Sequence, residues 1–209
     1  MRLRPTVTRD LRSVLYPIDG VPNRRLNTHV FPDCSMTRID SSTSEDLPFI
    51  LIVMGVSGSG KTTIGQWLSA KLGCSFLDAD DFHPPGNVRK MAVGDALTDE
   101  DRWPWLEILA AKIHEHIHNK QPMVMACSAL KQAYRRVLRV DSACVRFVYL
   151  KGDYDTILRR MHMRQSHFMK ASLLKSQFEA LEEPSRATVV NIEASPSEIG
   201  SAIWRELEL

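Results

Sequence analysis

Phe49-Ile50-Leu51-Ile52-Val53-Met54-Gly55-Val56-Ser57-Gly58-Ser59-Gly60-Lys61-Thr62-Thr63 is the stretch on which the reading of this chain turns. Phe49 to Met54 is an unbroken apolar run with β-branched residues, the pattern of a strand buried on both faces of a parallel sheet. Residues 55–62 fit GxxxxGK[ST], and Ile64, Trp67, Leu68 and Leu72 then recur at helical spacing before Gly73 stops the helix. Strand, glycine-rich turn and amphipathic helix in that order give the motif its meaning. Gly55, Gly58 and Gly60 let successive backbone N–H groups converge on phosphate oxygens. The opening helix adds its positive dipole end, Lys61 neutralises the outer phosphates, and the Thr62 hydroxyl is placed for Mg²⁺. A nucleoside triphosphate is the expected ligand.

Working outward, strands are predicted at Ser75–Leu77, Met123–Cys127, Val145–Leu150 and Thr188–Ile192. Helical spacing separates them: Trp105, Ile108, Leu109 and Ile113; Tyr134, Val137 and Leu138; Ile157, Leu158 and Met161; Leu174, Gln177, Phe178 and Leu181. A last helix is announced by Ser195 as cap, Pro196 at its first position and Glu198 three after the cap. Repeated βα units predict an α/β fold, a parallel sheet with helices on both faces.

The carboxylates of Asp78-Ala79-Asp80-Asp81 emerge where a strand ends beside the phosphate loop, the place ligands occupy in open α/β sheets. Residues 78 and 80 share a side in extended chain. One can hold Mg²⁺ through water and the other can take the proton of an attacking hydroxyl; a solvated acidic loop is the plainer alternative. Residues 87–105, with Asn87, Arg89, Lys90, Asp99, Asp101, Arg102 and Trp103-Pro104-Trp105, read as a polar and aromatic insertion that binds substrate, its tryptophans serving mainly as packing. After the strand at 123–127 no Asp appears, so Ser128 or Asp78 must serve the metal. Lys131, Arg135 and Arg139 stand at i, i+4 and i+8, a basic helical stripe that is either solvated or a clamp for an anion. Arg160 and Arg164 repeat that spacing ahead of residues 165–169 and suggest a closing lid.

The composition limits the alternatives. The 209 residues carry 27 basic and 25 acidic side chains, a net +2, and give no electrostatic case for nucleic acid. The longest apolar run, residues 48–56, is about half of the roughly 20 residues that span a bilayer, so no membrane helix is expected. Cys34, Cys74, Cys127 and Cys144 are widely spaced, without a metal or redox pairing, and no signal peptide precedes them. The chain reads as reduced and cytoplasmic. Residues 1–47 differ: they have seven Arg, six acidic residues, four Pro and no Lys. They are expected to be a disordered tail, an over-long start with Met36 as initiator, or an organelle-targeting extension, and residues 48–209 the catalytic domain.

The stretches GVSGSGKTT (55–63), LDADDFHPPGNVRKMAVGDALTDEDRWPWL (77–106), ACSALKQAYRRVLR (126–139) and HFMKASLLKSQFEALEEP (167–184) resemble the small gluconokinases of the phosphate-loop kinase superfamily, relatives of shikimate and adenylate kinases. The resemblance implies a three-layer α/β/α P-loop kinase with a lid. It implies ATP-dependent phosphorylation of D-gluconate at its 6-hydroxyl with Mg²⁺, yielding 6-phosphogluconate for the pentose phosphate pathway, and a frequent homodimer. It also implies roles. Gly55, Val56, Ser57, Gly58, Ser59, Gly60, Lys61, Thr62, Thr63 and Arg160 would hold the nucleotide, and Thr62 and Asp78 the metal. Lys61, Asp80, Arg135 and Arg164 would be catalytic, with Asp80 the general base. Asp80, His83, Arg102, Lys131, Arg135 and His167 would hold gluconate. Two departures stand out: Ser166 replaces a common Gly before the His-Phe pair, and the final strand follows Pro184 early. Shikimate or a nucleoside monophosphate as acceptor, or nucleotide binding without turnover, are the alternative readings.

Overall fold

Five strands pair as one parallel sheet, whose inner strands β1 and β3 are buried on both faces while the edge strands are part exposed. The structure, a computed structural model, describes residues 48–163 and 171–208; the extension 1–47, Cys34, Arg164, Ser166 and His167 lie outside the described residues. In chain order the elements are β1 (Ile50–Met54), α1 (Lys61–Leu72), β2 (Ser75–Asp78), α2 (Pro85–Val93), α3 (Asp99–His118) and β3 (Met123–Ala126). Then come α4 (Gln132–Leu138), β4 (Val145–Lys151), α5 (Tyr154–Met163), α6 (Ala171–Ala180), β5 (Thr188–Asn191) and α7 (Pro196–Glu206). The sheet order is β2-β3-β1-β4-β5, with β1 central: Ile50 is in register with Met123 on one side and Val145 on the other.

Alternation along β1 makes two cores. Ile50, Ile52 and Met54 face Trp105, Leu106, Leu109 and Ile113 of α3, with Tyr134 and Leu138 of α4. Leu51 and Val53 face Ile64 and Leu68 of α1, Ile157 of α5 and Ile199 and Ile203 of α7. The result is a three-layer α/β/α sandwich. β5 begins soon after Pro184 and still completes the sheet, pairing Val148 with Thr188. The last helix starts as its sequence announces: Ser195 accepts from the Glu198 amide while Glu198 reaches back to the Ser195 amide. Among the described residues no helix is long and apolar enough to cross a membrane.

One expectation is refined and one corrected. The polar and aromatic insertion at residues 87–105 is largely helical. Its residues form α2 and the opening turns of α3, which Thr98 and Asp101 start with a reciprocal capping box. Pro104 lies in the second turn of α3, early enough for the helix to continue, and this masked the helical pattern. The basic stripe also dissolves. Lys131 precedes α4 in extended conformation, Arg135 is inside it and Arg139 ends it, so the three do not form one stripe along a single helix.

Candidate active site

The phosphate loop joins β1 to α1 across the carboxyl edge of the sheet. Gly55 has φ 146°, and a Cβ there would lie 2.9 Å from the Leu150 carbonyl oxygen and 2.9 Å from Ser59 Oγ. Gly58 has φ 83° and passes so close under α5 that a Cβ would meet Met161 Cγ at 2.8 Å. Both positions therefore require glycine. Gly60 caps α1 with its backbone alone; no side chain caps the helix and no acid sits in its first turn. The first amides of α1 and the dipole behind them are thus left for an anion. Lys61 Nζ donates to the Val56 carbonyl at 3.1 Å, bracing the loop. Ser59 Oγ is buried with no hydrogen-bond partner among the described residues, and Thr63 is exposed in the first turn of α1.

β2 delivers the acids. Thr62 Oγ1 donates to Asp78 Oδ2 at 2.8 Å, tying the start of α1 to the end of β2. The extended spacing expected for Asp78 and Asp80 is not what occurs. Residues 79–82 form one turn of 3-10 helix whose cap is Asp78, accepting from the Asp80 amide at 3.2 Å. Chain curvature, rather than strand alternation, therefore aims Asp80. Its side chain is 74% open to the cleft, yet the enclosing walls thin the water around it. That partial desolvation raises its pKa, opposed by the positive charge of Lys61.

Beside Asp80 lies His83, whose ring stacks on Trp105 at 4.2 Å and 17°. Its Nε2 is 3.9 Å from Asp80 Oδ1, and its Nδ1 accepts from Asn87 Nδ2 at 3.3 Å. With Nδ1 accepting, the neutral ring carries its proton on Nε2 and directs it toward Asp80. Burial holds the pKa of His83 below the ordinary imidazole value, against the pull of Asp80. Trp105 is seated by its own N–H, which donates to the Ala79 carbonyl at 2.8 Å. Arg102 Nη1 donates to Tyr134 at 3.3 Å, and the Tyr134 hydroxyl donates to Asp99 at 2.6 Å.

A cleft of about 430 Å³ joins these parts, with Ser57, Lys61, Asp80, His83 and Arg102 in its lining. Lys131 and Arg135 are not in it. Lys131 pairs with Asp99 at 2.8 Å, and the buried Arg135 donates to the Ala129 and Leu130 carbonyls at 2.9 and 2.8 Å. The structure thus does not bring these two, expected to hold substrate, together with Asp80 and His83 in the cleft. Arg160 donates to the Ile192 carbonyl where β5 ends; Arg164 and His167 lie outside the described residues. Sequence reasoning missed Gln177, whose Oε1 accepts from the Ser57 amide at 2.7 Å across 120 positions. It entered the sequence reading only as one step of a helical repeat, and nothing local marks it as a partner of the phosphate loop.

The chain matches the shikimate kinase family over residues 57–203. It is 52% identical over 133 residues to the thermosensitive gluconokinase of Escherichia coli, covering 64% of this chain and 71% of that one. It is 42% identical over 183 residues to a probable gluconokinase of Mus musculus, covering 78% and 100%. The crystal structure of a gluconokinase from Sinorhizobium meliloti superposes with a TM-score of 0.67 at 40% identity, over 78% of this chain and 97% of that one.

Proposed function

Because the chain belongs to the gluconokinase family, within the wider shikimate kinase group, we propose that it transfers the γ-phosphoryl group of ATP to the 6-hydroxyl of D-gluconate. The observation that carries the reading is the placement of Asp80 in one cleft with Lys61 and the loop residue Ser57.

In this reading the loop amides and the uncapped start of α1 hold the triphosphate, and Lys61 offsets charge on its outer oxygens. Arg160 of α5, bonded to the Ile192 carbonyl just past β5, would flank the nucleotide. Asp80 accepts the proton of the acceptor hydroxyl; its raised pKa brings it nearer the operating pH and makes it a better base than an ordinary aspartate. His83 presents an N–H donor and Arg102 a fixed charge, suited to the hydroxyls and carboxylate of a sugar acid. Arg102 is held by Tyr134 and Asp99 rather than by the substrate, so its position is set before binding.

Thr62 and Asp78 fit Mg²⁺. They bring a hydroxyl and a carboxylate oxygen to within 2.8 Å of each other beside the loop, and Mg²⁺ in such enzymes takes one or two protein oxygens plus phosphate and water. When bound, the ion supplies positive charge to the phosphates. Asp78 has a second task, orienting the 3-10 turn through the Asp80 amide.

Purified protein offered ATP with gluconate, shikimate and AMP in parallel tests the proposal by coupled ADP release. Gluconate alone should support turnover. Release with AMP or shikimate but not gluconate would reassign the acceptor, and tight ATP binding with no product from any of the three would leave a nucleotide-binding protein.

A further inference from the structure

The basic residues that the sequence grouped into one stripe do not serve the cleft, yet they are not simply solvated. Arg135, Arg136 and Arg139 of α4 and its end, with Arg186 of the segment before β5, line a second cavity of about 560 Å³ that shares no lining residue with the first. Four arginines line it, with two acids, Glu182 and Glu183. Both acids are already engaged. Glu182 accepts from the Gln132 amide at 2.5 Å and partly offsets the charge of Arg135, and Glu183 pairs with Lys151 at 2.8 Å. Arg139 lies over the Phe147 ring at 5.1 Å and donates to the Arg186 carbonyl at 3.2 Å. Arg136 and Arg186 are exposed and have no carboxylate partner among the described residues. Four arginines around one concave surface, two of them exposed and without a carboxylate partner, outnumber its two acids and suit phosphate oxygens.

We propose that this cavity is a second anion site, which takes a phosphate-bearing small metabolite and is distinct from the nucleotide cradle. It is wired to the cradle. Arg135 reaches from the cavity to the carbonyls of Ala129 and Leu130, and Ala129 sits at φ 44° in the turn that those bonds brace. The carbonyl of the preceding residue, Ser128, accepts from the Gly55 amide at 3.4 Å. An anion held by Arg135 therefore acts on the turn against which the phosphate loop rests.

The test uses the full chain with its cradle saturated by a non-hydrolysable ATP analogue, titrated calorimetrically with inorganic phosphate in one arm and glucose 6-phosphate in another. At least one should bind, more weakly as salt rises. The double variant R136Q/R186Q should bind it at least tenfold more weakly, while its turnover in the absence of added anion stays within twofold of the parent. Binding of inorganic phosphate alone would limit the site to free phosphate; preference for the ester would assign it to a phosphorylated metabolite. In the parent, the saturating anion should also shift the KM for ATP, a shift that the variant lacks. No heat in either arm, or heat unchanged in R136Q/R186Q, overturns the proposal. The calorimetric arms need no acceptor, so they stand or fall apart from the assignment of gluconate.

Discussion

The phosphate cradle and the wall that faces it are made of different material. The cradle is main chain: eight consecutive residues, 55–62, shaped by glycines at positive φ and ending on an uncapped helix. The wall is side chain. Asp80, His83 and Arg102 are set by a 3-10 turn, by stacking on Trp105 and by the Tyr134–Asp99 pair, which come from three separate elements. A main-chain site needs only the local conformation to be right. A side-chain site needs several helices to arrive together, so damage to it should alter turnover and the acceptor before it alters nucleotide binding.

The largest expected effect breaks the wall alone. Asp80→Asn removes the base and should lower kcat by about 10²–10⁴-fold, the usual contribution of general base catalysis, while ADP affinity by calorimetry stays within about threefold. The pH profile sharpens this. A base works deprotonated, and desolvation raises the Asp80 pKa, so kcat/KM in the parent should fall with acid along a limb centred above the ordinary aspartate value of about 3.9. Asp80→Asn should lose that limb. A parent limb at or below the ordinary value would remove Asp80 from the role.

Next comes the support behind the wall. Trp105→Phe keeps a ring for His83 to stack on but leaves the buried Ala79 carbonyl without its donor. Denaturant unfolding should show a loss of about 1–3 kcal/mol, with KM for gluconate rising more than KM for ATP because the 3-10 turn carrying Asp80 begins at Ala79. Equal rises in both constants would mean that the two halves are not separable.

The cradle is broken by adding a single carbon. In Gly58→Ala the new Cβ meets Met161 and adopts φ 83°, a conformation that costs L-residues about 1–2 kcal/mol. ATP affinity should fall by about tenfold, as 1.4 kcal/mol corresponds to one decade. Gly86→Ala is the control: it lies in α2 with open space around its Cβ position and should be neutral or slightly stabilising.

These contrasts explain what could be read from the sequence. β1, the loop and α1 were legible because apolar run, glycine spacing and helical periodicity are adjacent in the chain; the parallel order followed from the repeated βα units. Thr62 and Asp78 were each singled out by the sequence, though not as the hydrogen-bonded pair they form. Residues 87–105 were not legible as helices because Gly86, Gly94 and Pro104 punctuate them, while the Thr98–Asp101 box that starts α3 resembles ordinary polar loop. The basic stripe assumed that Lys131, Arg135 and Arg139 share one helix face. α4 is only seven residues long, so helical spacing had no helix on which to act at either end.

Gln177 tests whether the cradle is main chain in full. Its carboxamide oxygen takes the Ser57 amide, a donor that a phosphate oxygen would otherwise receive, so nucleotide binding must displace α6 or rotate this side chain. A net hydrogen bond contributes about 0.5–1.5 kcal/mol. Gln177→Ala should therefore tighten ADP binding by about two- to tenfold in calorimetry, the only change in the series expected to raise nucleotide affinity. Gln177→Glu should do the reverse, because its carboxylate would repel the phosphates from the same position. Weaker ADP binding in Gln177→Ala would mean that the side chain holds the nucleotide rather than standing in for it. The cradle would then share the dependence of the wall on distant helices, and the division between a main-chain half and a side-chain half would not survive.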